Sequence, residues 1–176
     1  MIWTTTKNDV ECKTPIVHVS VYPPELLNQL ATRPGLVSLG IDPGKNFGLA
    51  IASYDGYIET MNGILNDKEY TLKEVAFWFI KDFLEKCGSA VRVVVVEGAS
   101  YGDRFGQVKL AEVRAGFALG CSESGLPVTT VAPKTPRKVV FGDGNKGAWD
   151  VWMGLNHNAS DALCLALYPF YLDLHK

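Results

Sequence analysis

The sequence predicts a mixed α/β fold: a five-stranded sheet of three antiparallel strands followed by parallel strands, flanked by helices. Three observations carry this. Two apolar runs, 36–42 and 47–53, are separated only by Pro43-Gly44-Lys45-Asn46, a link that fits a tight hairpin. The stretch 91–97 contains four consecutive valines, Val93 to Val96, the pattern of a strand buried on both faces beneath helices. Between them, Leu72, Val75, Ala76, Phe79, Phe83 and Leu84 recur at helical spacing.

Each element follows in order. Residues 1–35 are rich in Thr and Pro and read as an N-terminal extension, with an alternating run at 16–21 suited to an edge strand and a brief helical stretch at 25–30 after Pro23-Pro24. Thr32-Arg33-Pro34-Gly35 is a turn, and the main domain occupies 36–176. After the first hairpin, Asp55-Gly56 turns the chain into a third strand, 57–65. Thr71 and Glu74 have capping-box spacing at the start of the helix that runs to Cys87. A second helix is expected over 105–123, a fifth strand over 127–131, and a last helix over 159–168 that Pro169 stops. The order is βββ-α-β-α-β-α. Gly106, Ala115, Gly116 and Gly120 give the second helix a small-residue surface that permits close helix approach.

Composition excludes several classes. With 176 residues, 47% hydrophobic and 20% charged, the chain suits one globular domain rather than a disordered or fibrous one. No apolar stretch approaches the roughly 20 residues of a membrane span, and the start, Met1-Ile2-Trp3 followed by Thr4, does not read as a secretory signal, so a cytoplasmic protein is expected. The four cysteines, Cys12, Cys87, Cys121 and Cys164, lack C-x-x-C spacing and read as buried free thiols. A net charge of −2 argues against non-specific coating of nucleic acid.

The chemistry concentrates in three acids. Asp42 and Glu97 each end an apolar strand, where open α/β sheets place their ligands. A carboxylate there is costly to desolvate, and two on adjacent strands repel unless a cation lies between them. Alone, Asp42 before Pro-Gly reads as a turn-starting Asp, and Asp161, expected in the first turn of the last helix, as a favourable charge on the helix dipole. Together the three supply the hard oxygen ligands of a two-metal phosphoryl-transfer site for Mg²⁺ or Mn²⁺. Asn158 and His157 precede Asp161 by three and four residues, on its helix face. Residues 131–147, read as a loop, hold Lys134, Arg137, Lys138 and Lys146 against Asp143 alone, a phosphate-contacting footprint. The glycines nearby form no nucleotide-binding G-x-G-x-x-G, so no dinucleotide cofactor is expected.

Leu39-Gly40-Ile41-Asp42-Pro43-Gly44, Val95-Val96-Glu97, Leu126-Pro127-Val128, Arg137-Lys138-Val139-Val140, Gly142-Asp143-Gly144-Asn145-Lys146 and Asn158-Ala159-Ser160-Asp161-Ala162-Leu163, in that order, resemble a RuvC-type Holliday-junction resolvase over roughly 36–170. The resemblance implies an RNase H-like fold, a homodimer built on the second helix, two Mg²⁺ or Mn²⁺ ions per site, and paired nicks in four-way DNA junctions leaving 5′-phosphates. Asp42, Glu97 and Asp161 match the family's metal-binding carboxylates. Asn158 falls where the family has Asp or His; its amide carbonyl is the favoured fourth ligand, with His157 the alternative. Arg137 and Lys146 match basic residues near the scissile strand, and Lys146 is counted with the catalytic set, although the preceding loop is about two residues shorter here. Tyr101, on the loop after Glu97, lies one position from the family's junction-stacking aromatic, and Phe105 is the second candidate.

Trp149 and Trp152, three apart, read as packing residues, and His18 and His175 have no partner spacing. Three other readings compete: an RNase H-like nuclease of the YqgF type acting on RNA, a junction-binding module without catalysis, suggested by Asn158 and the acidic balance, and an actin-like ATP-binding domain, which needs a second phosphate loop and about twice the length.

Overall fold

Alternation along the strand that ends in Asp42 sends Leu39 and Ile41 to one face of a sheet and Ser38, Gly40 and Asp42 to the other. The computed structural model from which this is read describes residues 2–4, 9–13, 37–53, 57–66, 70–87, 90–99, 104–148 and 155–172. Its strands are β1 (Ile2–Thr4), β2 (Asp9–Lys13), β3 (Val37–Asp42), β4 (Asn46–Ser53), β5 (Ile58–Ile64), β6 (Val93–Glu97) and β7 (Val128–Val131). Its helices are α1 (Leu72–Cys87), α2 (Arg104–Glu123), α3 (Lys134–Phe141) and α4 (His157–Leu172).

The central sheet has the expected plan. β3, β4 and β5 form an antiparallel meander, and β6 and β7 add in parallel beside β3. Two further strands lengthen it: β2 pairs antiparallel with β5, and β1 with β2, giving the order β1-β2-β5-β4-β3-β6-β7. The expected edge strand at 16–21, the helical stretch at 25–30, and the turns at 32–35 and Asp55-Gly56 lie outside the described residues.

Two cores sandwich the sheet. On one face Leu39, Ile41, Phe47, Leu49, Val94 and Val96 pack against Phe79, Phe83 and Phe117 of α1 and α2. On the other, Ala50, Ala52 and Ile58 meet Ala159, Ala162, Leu163, Ala166 and Leu167 of α4, with Val95 packing beside Leu165 and Tyr168. The valine strand is thus covered on both sides, as its unbroken hydrophobicity requires. The capping box forms: Thr71 N donates to Glu74 Oε2 at 2.9 Å while Glu74 N donates to Thr71 Oγ1 at 3.3 Å.

Several expectations change. Residues 134–141 are helix α3, not loop, because Pro136 stands in the first turn, where its missing N–H costs no intrahelical bond. Gly142 ends α3 at φ 77°, donating its N–H to the Lys138 carbonyl. Pro169 does not stop the last helix, which continues to Leu172 because buried Phe170 keeps that final turn on the sheet. Its start moves too: Asn156 Oδ1 accepts from Ala159 N at 2.9 Å, capping a helix that begins at His157. Asp161 therefore lies in the second turn, beyond the first-turn dipole position. Gly116 and Gly120 are used within the chain, where a Cβ would strike the Lys73 carbonyl and Ile80 of α1. Cys121 and Cys164 are buried free thiols, as expected.

Among the described residues, no helix is long and apolar enough to cross a membrane.

Candidate active site

Ile41 and Val96 are register partners on the parallel strands β3 and β6, so the next residues, Asp42 and Glu97, emerge side by side at the carboxyl edge of the sheet. Both point to the α4 face, continuing the alternation of Gly40 and Val95. What brings α4 over them is the absence of side chains beneath it. A Cβ at Gly40 would strike the Ala162 carbonyl and the Ala166 amide, and one at Gly48 the Asn158 carbonyl. Ala159, Ala162 and Ala166 complete this close helix-on-sheet contact.

The two carboxyl groups hydrogen-bond to each other. Burial first, then the Glu97 and Asp161 charges, hold Asp42 well above the ordinary carboxylate range. Burial also raises Glu97, against the opposing influence of its hydrogen bond to Asp42. Both carboxyl groups are thus held above the ordinary carboxylate range.

Asp161 reaches the same site from α4, but its partner is Arg137 of α3, whose Nη2 donates to Asp161 Oδ1 at 2.8 Å. The ion pair is largely sheltered, with the two side chains 25% and 21% exposed. Asp161 and Arg137 both act electrostatically on Asp42 and Glu97, which places all four at one locus.

The other expected residues are distributed around it. Asn158 is half-buried in the first turn of α4 and His157 is exposed beside it. Lys134 donates to Asn145 Oδ1 at 2.8 Å, tying the start of α3 to the turn after it. Lys138 and Lys146 are exposed. Tyr101, Trp149 and Trp152, and the side chain of Phe105, lie outside the described residues.

Sequence reasoning missed Asn156 and Arg114. Asn156 left a signal, a capping-type residue three before Ala159, that was masked by Asn158 as a ligand candidate. Arg114 looked like one more charge on a long helix. In the fold it reaches the end of β6, where Nε donates to the Glu97 carbonyl at 2.8 Å and Nη2 to the Gly98 carbonyl at 3.1 Å.

Hard carboxylate oxygens on a buried, mutually hydrogen-bonded pair suit a divalent cation. The cage is not closed: among the described residues no three His, Cys, Asp or Glu side chains are grouped to hold an ion, consistent with Asp161 being bonded to Arg137.

No protein-family model matches the sequence, and no curated protein sequence matches it. The fold does match. It is the mixed α/β architecture of RNase H-like, RuvC-type proteins. Thermus thermophilus RuvC superposes with a TM-score of 0.61 at 19% identity, covering 79% of this chain and 96% of that one. The T. thermophilus RuvC solved in complex with a Holliday junction substrate superposes with a TM-score of 0.60 at 18% identity, over the same shares of both chains.

Proposed function

We propose that this protein is a divalent-metal-dependent endonuclease that resolves four-way DNA junctions by paired nicks leaving 5′-phosphates, acting as a homodimer. The observation that carries this reading is the Asp42–Glu97 pair at the ends of β3 and β6, within electrostatic reach of Asp161 on α4, on a fold that a RuvC bound to a Holliday junction shares.

Asp42 and Glu97 would hold the first Mg²⁺ or Mn²⁺, and Asp161, once released by Arg137, would join them with Asn158 or His157 to complete a two-ion site. Such ions activate the attacking water and neutralise charge on the phosphate and leaving oxygen. The chain's own residues supply the rest. Arg137 sits at the acids, and Lys134, Lys138 and Lys146 on α3 and the turn after it would add positive charge for a phosphodiester backbone. Tyr101 would stack on an exposed base at the junction centre. Paired nicks need two sites, and a second copy would cover apolar residues such as Val108 and Leu119, which are exposed on α2.

The test is cleavage of labelled four-way, three-way and flap DNA with Mg²⁺, alongside a matched RNA substrate. Selective nicking of the four-way junction is expected. Preferential cleavage of RNA, or junction binding with no cleavage, sinks the reading in favour of an RNA nuclease or an inactive binding module. Asp42→Asn and Glu97→Gln should each lower the cleavage rate by at least about a hundredfold while junction binding survives, because each removes a metal ligand charge and leaves the phosphate contacts intact.

A further inference from the structure

We infer that Arg114 is the positioning residue for Glu97: a guanidinium fork, reaching round from the helix layer opposite α4, that fixes the end of β6 so that the Glu97 carboxylate stands in line with Asp42. The inference rests on the metal-dependent reading of the site but assigns a role that the carboxylates alone do not imply.

The end of β6 has a structural deficit. Its last paired residues are Val96 against Ile41 on one side and Glu97 against Val131 on the other, so β3 no longer secures the backbone at Glu97 and Gly98 from its side. Gly98 N still donates to the Val131 carbonyl at 2.6 Å, which holds one edge. The carbonyls of Glu97 and Gly98 are held by Arg114, at 2.8 and 3.1 Å from two different nitrogens of one planar group. Two bonds from a rigid fork fix direction as well as distance, which a single donor does not. Arg114 is itself anchored: Val113 and Phe117, its neighbours on α2, are fully buried in the core. Core packing of α2 is thereby transmitted to the backbone that carries Glu97.

A positive charge so near a carboxylate has a second possible effect, and the two predict opposite signs. Acting only as a charge, Arg114 would repel an incoming cation, so its removal would tighten metal binding. Acting as a fork, its removal would let the Glu97 backbone move, and metal binding would weaken. Lysine separates the two, because it keeps the charge but bonds one carbonyl at a time.

Mn²⁺ binding to the DNA-free protein, followed by electron paramagnetic resonance, reads this without cleavage. The expected result is a dissociation constant raised about threefold in Arg114→Lys and tenfold or more in Arg114→Met. Gly125→Ala serves as the stability control: its left-handed φ of 76° makes alanine unfavourable at the far end of the sheet, with no contact to the site. If Gly125→Ala lowers the melting temperature as much as Arg114→Lys yet binds Mn²⁺ like wild type, the loss in the arginine variants belongs to positioning. Wild-type affinity in Arg114→Lys, or tighter binding in Arg114→Met, overturns the inference. Failure of wild type to bind Mn²⁺ overturns the metal-dependent reading itself, and is distinguished by occurring before any variant is compared.

Discussion

Arg137 holds Asp161 through a 2.8 Å hydrogen-bonded ion pair, so the one acid of the site that is not sharing a hydrogen bond with another acid is bonded to a cation of the protein's own. A guanidinium satisfies a carboxylate or a phosphate equally well. If the protein acts on DNA as proposed, a backbone phosphate would compete with Asp161 for Arg137 and free Asp161 when substrate arrives. Arg137→Gln should tighten Mn²⁺ binding to the free protein several-fold, because Asp161 is released. The same variant should weaken junction binding and reduce the slope of log affinity against log salt by about one, the signature of one lost phosphate contact. Calorimetry for the ion and a salt titration for DNA check the two halves; unchanged ion affinity would show that Arg137 does not compete for Asp161.

On the two-metal reading, Asn158 would set the charge of the loaded site: three carboxylates against two divalent ions would leave one positive charge for the scissile phosphate to balance. Asn158→Asp should stay active with a lower Mg²⁺ requirement, and Asn158→Ala should need more Mg²⁺ but lose less activity than Asp161→Asn. Cleavage rate against Mg²⁺ concentration tests this. If Asn158→Ala titrates like wild type while His157→Ala does not, the ligand is His157.

Without metal, the Asp42–Glu97 pair gives stability a pH dependence of definite sign. Both groups are raised in the folded state, so the native protein binds more protons than the unfolded chain just above about pH 4. That contribution is fully present below the unfolded values and is lost as pH rises through the folded ones. Thermal melts in chelator should show the melting temperature of Asp42→Asn rising relative to wild type as pH increases. Added Mg²⁺ should stabilise wild type more at high pH than at low, since it binds the deprotonated pair.

Gly48→Ala tests the seating of α4. The new methyl group would strike the Asn158 carbonyl, which belongs to helix backbone and has little room to give. A loss of about 2–3 kcal/mol in chemical denaturation is expected, in the upper part of the range for overpacked sites. Weaker Mn²⁺ binding should accompany it, because lifting the start of α4 moves Asn158 and Asp161 together.

The sheet was legible because its signals were local: a hairpin turn after Asp42, four valines before Glu97, a capping box at Thr71. The three acids were legible because each ends or begins an apolar segment, where a charge needs a reason. The helix at 134–141 was not, since Pro136 and the nearby glycines resemble loop chemistry until the proline is known to stand in a first turn. Nor were the partnerships of Arg137 and Arg114 legible. Both arginines contact residues far along the chain, and nothing in a periodic pattern announces which backbone or carboxylate a long cation will reach. The small residues of α2 correctly announced a close helix approach, which Gly116 and Gly120 make against α1, but spacing does not say which helix is met.

The order in which the chain leaves the ribosome gives the seating of α4 on Gly40 and Gly48 a temporal meaning. Asp42 and Glu97 emerge early and can pair as soon as β6 docks beside β3, but Arg137 and Asp161 arrive later, and α4 is the last described element to be made. A nascent or truncated chain that ends before α4 has the acid pair, lacks its third acid, and leaves the apolar face of the sheet uncovered. Until α4 is made, the Ala50, Ala52 and Ile58 face that packs against it lacks that cover, and the four-residue locus lacks Asp161.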